Sequence, residues 1–309
     1  MLRVLRSSLS LIQSSASASA VRGLRLASSA AGGDRIVRFV SVDGEEHLGV
    51  FTDVTETKCR IATRGESGRL AIGAVVKDVD MILAPVEPPA VYCIGLNYAC
   101  HAAETNKPVP EYPIVFTKAV TSLVGHQAPI ILPHVAKDEV DYEGELGVVI
   151  GRECKNVSEA DALSYVMGYV PCNDVTARRW QGKKGGGQWA RSKGFDSFLP
   201  CGPFLTPAAA VPDPQKLRVR TTLNGDIVQD GHTSMMLVSV AKIISFLSEG
   251  TTLLPGTLIL TGTPAGVGYT KGKYLKRGDT ISITITSDDG AVSLGVLTNT
   301  CVDEATDFV

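Results

Sequence analysis

Apolar residues in this chain fall mostly in short blocks bounded by Gly, Pro, Asn or Asp, and seldom at a sustained helical spacing. Residues 36–40 and 48–51 read as two strands joined across an Asp43-Gly44 turn. Residues 91–95 read as another strand. The run Leu146-Gly147-Val148-Val149-Ile150, opened by Glu143, reads as a further one, as do residues 166–172 just before Asp174. Leu223-Asn224-Gly225-Asp226 is a hairpin signal between 217–222 and 227–229. Residues 258–261, 280–285 and 291–297 complete the strands.

Helical patterns are few. A helical turn is expected over 99–105, and Pro108, Pro110 and Pro113 keep the next stretch extended. A helix is expected over 157–167, with Ser158 as N-cap and Asp161 three residues on. The best amphipathic helix covers 238–247, with Val238, Ala241, Ile244 and Leu247 on one face. Residues 182–187 read as a Gly-rich loop. Strands and helices do not alternate as a doubly wound fold requires, so the expected class is mainly β (α+β) with a few short helices. Pro85, Pro88 and Pro89 separate a small N-terminal β-rich module, residues 34–87, from a larger unit, residues 88–309.

Composition narrows the function. The 309 residues are 44% hydrophobic and 20% charged, with a formal net charge of -2 and no large basic patch, which leaves nucleic-acid binding without support. No uninterrupted apolar run reaches the roughly 18 residues of a membrane span, so no membrane insertion is expected. The seven Cys are scattered and never spaced C-x-x-C, which argues against a disulfide scaffold or a structural zinc site. Residues 1–33 differ from the rest: they carry Arg3, Arg6, Arg22 and Arg25, nine Ser and no acid. An Arg-rich, Ser-rich, acid-free amphipathic leader predicts a mitochondrial transit peptide, removed on import, and a matrix location.

The acids carry the chemistry. Glu143 and Glu145 alternate with Gly144 at the head of a strand and so point to one side. Two carboxylates side by side repel, which calls for a positive charge over them. Asp174 offers a third oxygen ligand. Three carboxylates without His or Cys suit Mg²⁺, Mn²⁺ or Ca²⁺ better than Zn²⁺. The competing reading is a solvated strand face with unrelated acids. His101 and Glu104 share a face of a helical turn, where the carboxylate can orient the imidazole as a general base. Lys193 is placed to offset part of the carboxylate charge. Thr261-Gly262-Thr263-Pro264-Ala265-Gly266-Val267-Gly268 is either a tight turn or a loop whose amides and Thr hydroxyls bind a substrate carboxylate.

The order of these pieces is specific. Tyr92-Cys93-Ile94-Gly95-Leu96-Asn97-Tyr98 leads to His101-Ala102-Ala103-Glu104. Asp141-Tyr142-Glu143-Gly144-Glu145-Leu146, Cys172-Asn173-Asp174-Val175-Thr176-Ala177-Arg178, Lys193-Gly194-Phe195-Asp196 and Leu260-Thr261-Gly262-Thr263-Pro264 follow. The arrangement closely resembles the fumarylacetoacetate hydrolase family, over residues 88–300, and within it the mitochondrial oxaloacetate tautomerase group. The resemblance implies a mixed β-roll catalytic domain, a homodimer, and a bound Mg²⁺ or Mn²⁺. It implies Glu143, Glu145 and Asp174 as metal ligands, His101 and Glu104 as an acid/base dyad on a lid, and Lys193 as the basic residue beside the metal. Arg178, Gln181 and Thr263 match positions that contact substrate. Gly144 stands where relatives often carry a bulkier residue.

The implied substrate is a small enolisable 2-oxo (di)carboxylate. Keto–enol tautomerisation of oxaloacetate is expected first. Acylpyruvate or fumarylacetoacetate-type C–C hydrolysis and oxaloacetate decarboxylation are alternatives through the same enolate. A non-catalytic metal–dicarboxylate binding protein is the alternative of another class.

Overall fold

The computed structural model describes residues 35–52, 57–64 and 70–305; the leader expected at 1–33 lies outside them. Strands β1 (Ile36–Ser41), β2 (Glu46–Phe51), β3 (Lys58–Arg64) and β4 (Leu70–Leu83) close into a small barrel in that order. Val37, Phe39 and Cys59 pack in its interior against Phe204 from later in the chain. The buried guanidinium of Arg38 ties the barrel onward, donating to Ala84 O at 3.1 Å and pairing with Glu46 at 2.7 Å and Glu87 at 2.8 Å.

The remaining strands are β5 (Val91–Gly95), β6 (Ile114–Thr117), β7 (Leu123–Val124), β8 (Ile130–Leu132), β9 (Val140–Asp141), β10 (Gly144–Ile150), β11 (Val166–Asn173) and β12 (Thr176–Ala177). β13 (Leu199–Pro200), β14 (Thr206–Pro207), β15 (Arg218–Leu223), β16 (Asp226–His232), β17 (Leu258–Leu260), β18 (Thr280–Thr286) and β19 (Ser293–Asp303) complete them. They build a six-stranded sheet, β14-β11-β10-β17-β5-β6, and a five-stranded sheet, β16-β15-β18-β19-β8. Both sheets are mixed: β17 runs parallel to β5 and antiparallel to β10, and β8 runs parallel to β19.

β10 lies inside the six-stranded sheet and buries both faces, which is why its sequence runs apolar without a break from Leu146 to Ile150. Leu146, Val148 and Ile150 meet Val219, Ile281, Ile283 and Ile285 of the second sheet. Val149, on the opposite face, packs with Val170, Leu258 and Leu260. Each such side chain contributes roughly 1.5–3 kcal/mol of burial free energy. Between β15 and β16 the hairpin turns through Asn224 (φ 52°) and Gly225 (φ 91°), the two left-handed residues a type I′ turn demands.

The helices are α1 (Ala99–Glu104), α2 (Glu159–Ala162), α3 (Arg178–Gln181), α4 (Trp189–Lys193), α5 (Val240–Ser248) and α6 (Gly268–Lys271). Ser158 caps α2 as expected, its side chain accepting from Asp161 N. The helix expected over 157–167 nevertheless stops at Ala162, followed by one 3-10 turn, because β11 pairs along β10 from Val166 onward and draws Met167 into the sheet core. α5 starts at Val240 rather than 238, where Ser239 accepts from Lys242 N. Its core stripe is therefore Val240, Ile243, Ile244 and Leu247, while Val238 precedes the helix and hydrogen-bonds Asn97. The 182–187 loop contains a 3-10 turn, Lys183–Gly185. None of the helices among the described residues is long and apolar enough to cross a membrane.

Candidate active site

In the β10–β11 ladder Gly144 lies opposite Asn173 and Glu145 opposite Cys172. This register sets Glu143, just before β10, beside Asp174, just after β11. Asp174 N donates to Glu143 O at 2.9 Å, and Glu143 N donates to Asn173 Oδ1 at 3.0 Å. The carboxylate oxygens of Glu143, Glu145 and Asp174 lie within 4.8 Å of one another, and all three residues are buried.

Three cations converge on this cluster. Lys193, at the end of α4 and 1% exposed, reaches Glu143 Oε2 at 2.7 Å and Asp174 Oδ2 at 2.5 Å. Lys118 Nζ donates to Asp174 Oδ1 at 2.7 Å and to Val175 O at 3.2 Å. Arg178 pairs with Glu143 Oε1 at 2.7 Å and with Asp141 Oδ2 at 2.8 Å. Burial alone raises the Glu143 carboxyl, but Lys193 and Arg178 outweigh it and hold Glu143 below the usual carboxylate range. Burial likewise disfavours the charged Lys193, and Asp174 and Glu143 reverse it, so its ammonium is raised.

Glu145 is different. It has no ion pair among the described residues, and its one protein donor is Gly262 N, at 2.7 Å from Oε2. Burial, then Asp174 and Glu143, push its carboxyl well above the ordinary value. Asp141, Glu143, Glu145 and Asp174 together exceed the charge of Lys118, Arg178 and Lys193, and the surplus falls on Glu145. An ionised carboxylate offers about four lone-pair sites, so each acid keeps acceptor capacity beyond its protein donors. The all-oxygen donor set and the unbalanced charge fit a hard divalent cation such as Mg²⁺ or Mn²⁺. A second grouping, Asp43, Glu45 and His47, is largely exposed, and Lys77 already pairs with its Asp43.

His101 lines a cavity that Glu143 and Glu145 also line. His101 Nδ1 lies 3.3 Å from Glu104 Oε2 on α1. Glu104 is itself fixed from outside the helix, by Gly266 N at 3.0 Å and Thr270 Oγ1 at 2.8 Å. Gly268 N and Tyr269 N, both at 2.8 Å, clamp Asp141 at the start of α6. The amides of the 261–268 loop and of α6 thus donate to the protein's own carboxylates, Glu145, Glu104 and Asp141, rather than to the substrate carboxylate that the sequence suggests as their partner. His101, Glu143, Glu145, Arg178, Gln181, Lys193 and Thr263 all line one cavity of about 160 Å³. Asp174 lies behind it, 0% exposed.

Arg178 spends its guanidinium on Asp141, Glu143 and Gln181 Oε1. Thr263 Oγ1 donates to Gly144 O at 2.9 Å and accepts from Gln229 Nε2 at 2.7 Å. Gly144 has no room for a side chain: a Cβ there would meet Thr221 Oγ1 at 2.2 Å.

Sequence reasoning passed over Asp141, Lys118, Gln229 and Asn97. Asp141 carried a signal, since Asp141, Glu143 and Glu145 follow the alternation of a single strand face. Lys118 carried none. Asn97 bridges Thr261 O at 2.8 Å and Val238 O at 3.0 Å, and so holds the loop after β17 to α1.

Comparison with known proteins identifies the family. The family model "Fumarylacetoacetate (FAA) hydrolase C-terminal" matches residues 90–302. The mitochondrial oxaloacetate tautomerase fahd2 of Xenopus laevis is 44% identical over 215 residues, 69% of this chain and 67% of that protein. An uncharacterized protein of Archaeoglobus fulgidus is 46% identical over 220 residues, 71% and 81% of the two chains. The crystal structure of 2-hydroxyhepta-2,4-diene-1,7-dioate isomerase from Mycobacterium marinum superposes with a TM-score of 0.75 at 37% identity, covering 89% of this chain and 100% of that one. The mixed-sheet fold, the family match across most of the described chain and these relatives lead to one statement: this chain belongs to the fumarylacetoacetate hydrolase family.

Proposed function

We propose that this protein is an oxaloacetate keto–enol tautomerase that works with Mg²⁺ or Mn²⁺ on enolisable 2-oxo acids. The observation that carries the reading is the opposition, across one small cavity, of a carboxylate cluster and an oriented imidazole. A divalent ion held by Glu143, Glu145 and Asp174 would supply Lewis acidity toward the 2-oxo acid. Lys193, with Arg178, favours the ionised form of Glu143 for that role.

Glu104 holds His101 through Nδ1, which leaves Nε2 for the cavity. His101 takes a proton from the carbon beside the keto group, giving the enolate and an imidazolium, and the imidazolium returns that proton to the enolate oxygen to give the enol. The reverse transfer returns the keto form. The name of the Xenopus relative supports tautomerisation, and the cavity volume supports a small acid. Drug-sized sites start at roughly 300 Å³.

C–C hydrolysis of acylpyruvates is the second reading, favoured by the family's name. One experiment separates the two. Purified protein with Mg²⁺ is added to freshly dissolved oxaloacetate while enol absorbance is followed, and acylpyruvates are assayed for pyruvate. Faster enol decay without pyruvate is the expected result. Pyruvate release from acylpyruvates would assign the hydrolase, and inertness to both would leave a metal–dicarboxylate binding protein.

Residues 88–309 are assigned the whole chemistry, since among the described residues none before Ile94 lines the cavity. A homodimer in the mitochondrial matrix belongs to the same reading. The mitochondrial location is supported by the composition of residues 1–33 and the mitochondrial name of the Xenopus relative, and the homodimer by the family resemblance alone.

A further inference from the structure

We propose that Lys107 reads the far carboxylate of a dicarboxylate substrate, and so sets selection for dicarboxylic over monocarboxylic 2-oxo acids. The inference rests on reading this cavity as a 2-oxo acid site. Three permanent cations line the cavity: Lys107, Arg178 and Lys193. Arg178 is committed to Asp141 and Glu143, and Lys193 to Glu143 and Asp174. To take a substrate carboxylate, either would have to release a buried carboxylate of the protein, at a cost of several kcal/mol. Lys107 has no ion pair among the described residues, and its ammonium is free to accept one.

The position of Lys107 is built by the chain. Asn106 ends α1 in a left-handed conformation (φ 51°), and Lys107 N donates to Ala102 O at 3.0 Å. This places Lys107 directly after the dyad helix. Its Nζ stands 5.9 Å from the ring centroid of Trp189. Trp189 meets Phe116 edge to face at 5.3 Å, and Lys193 Nζ stands 5.0 Å from the Phe116 centroid. The cavity therefore has an aromatic wall with an ammonium at each end. One end adjoins the carboxylate cluster and is neutralised there; the other is open and unpaired. A 2-oxo acid with its keto acid end at the cluster presents any second carboxylate toward Lys107. Gln181 gives its carbonyl oxygen to Arg178, which leaves its NH₂ group as a neutral second donor in the same cavity.

The test is a binding titration of the full, Mg²⁺-loaded protein with malate and with oxalate, comparing wild type, Lys107→Met, Lys107→Arg and Lys184→Met. Malate carries a far carboxylate, and oxalate is too short to reach beyond the cluster. Lys184 is an exposed charge outside the cavity lining and controls for net charge. Lys107→Met is expected to weaken malate about tenfold, the size of one charge-assisted hydrogen bond. Oxalate affinity should stay within about twofold, since its contacts lie at the other end. Lys107→Arg should retain most of the malate affinity, and Lys184→Met all of it. With oxaloacetate as substrate, Lys107→Met should raise KM about tenfold with kcat nearly unchanged.

Unchanged malate affinity in Lys107→Met, or a parallel loss of oxalate, overturns the inference. Equal binding of malate and lactate by the wild type also overturns it. Failure of the wild type to speed oxaloacetate enol decay sinks the tautomerase reading instead, and the titration still reports on Lys107.

Discussion

Lys118 meets Asp174 in a position where neither side chain has any exposed surface, with Nζ 2.7 Å from Oδ1. The second oxygen of Asp174 belongs to Lys193. Asp174 is thus gripped from two segments, one following β6 and one ending α4. Removing one partner of a buried pair leaves an uncompensated charge, so Lys118→Met is expected to cost about 3–5 kcal/mol. Urea midpoints of the variant and wild type check this.

Among the described residues Glu145 lacks the cationic partner that the other clustered acids have, and this makes metal binding and stability separable. Mg²⁺ should raise the wild-type Tm by mass action on the folded state. Glu145→Gln should abolish that shift while leaving the metal-free protein at least as stable as wild type at neutral pH, because it removes an unpaired buried charge. Thermal scans with EDTA and with a Mg²⁺ series read both effects. A metal-free Glu145→Gln protein much less stable than wild type would contradict the charge argument.

Asp141 acts through Arg178. Its carboxylate accepts from Tyr142 N, Gly268 N, Tyr269 N and the Arg178 guanidinium, so the arginine is held against Glu143. Asp141→Asn should reduce Mn²⁺ affinity or turnover by about 10–100-fold, the range for outer-shell partners of metal ligands. Mn²⁺ titration followed by spin resonance measures the affinity independently of turnover.

His101→Ala should keep its metal and lose rate by about 10²–10⁴-fold, the contribution of a positioned general base. Glu104→Gln should lose less, since the ring remains. A fully active His101→Ala enzyme would remove the proton-transfer role from this residue.

Gly144 and Thr221 share one space. Gly144→Ala should destabilise the protein by about 1–3 kcal/mol through overpacking. Thr221→Ala in the same chain should restore part of that, because the atom a Cβ would strike, Thr221 Oγ1, is then gone. The double-mutant cycle is expected to show a favourable coupling.

His126 offers a pH dependence remote from the site. Burial lowers its pKa from 6.5, and its Nδ1 accepts from Thr298 N at 3.1 Å. A depressed histidine pKa means the folded state binds fewer protons. Its contribution is therefore full above pH 6.5 and is lost as pH falls through the lowered folded value. His126→Gln should flatten the fall of stability below that pH, read from urea midpoints on either side of it.

Much of this architecture is present in local sequence. The alternation of Glu143 and Glu145 at the head of an apolar run states that these two acids point to one side, because side-chain direction in a strand has a period of two. The spacing of His101 and Glu104 states that they share a helical face. The continuous apolar run of β10 already requires cover on both sides. These are properties of neighbouring residues and need no knowledge of the rest of the chain.

The balance of charge needed the tertiary structure. Lys118, Arg178 and Lys193 come from the segment after β6, from α3 and from α4, and nothing local in their surroundings says that they converge. The same holds for Thr221 beneath Gly144, for Gly266 and Thr270 around Glu104, and for Lys107 at the open end of the cavity. The helix expected over 157–167 gave way to β11 for a related reason, since pairing along β10 outweighed helix propensity. Periodicity is set within a few residues, whereas ion pairs, steric limits and the choice between two local conformations depend on segments brought together only when the sheets close.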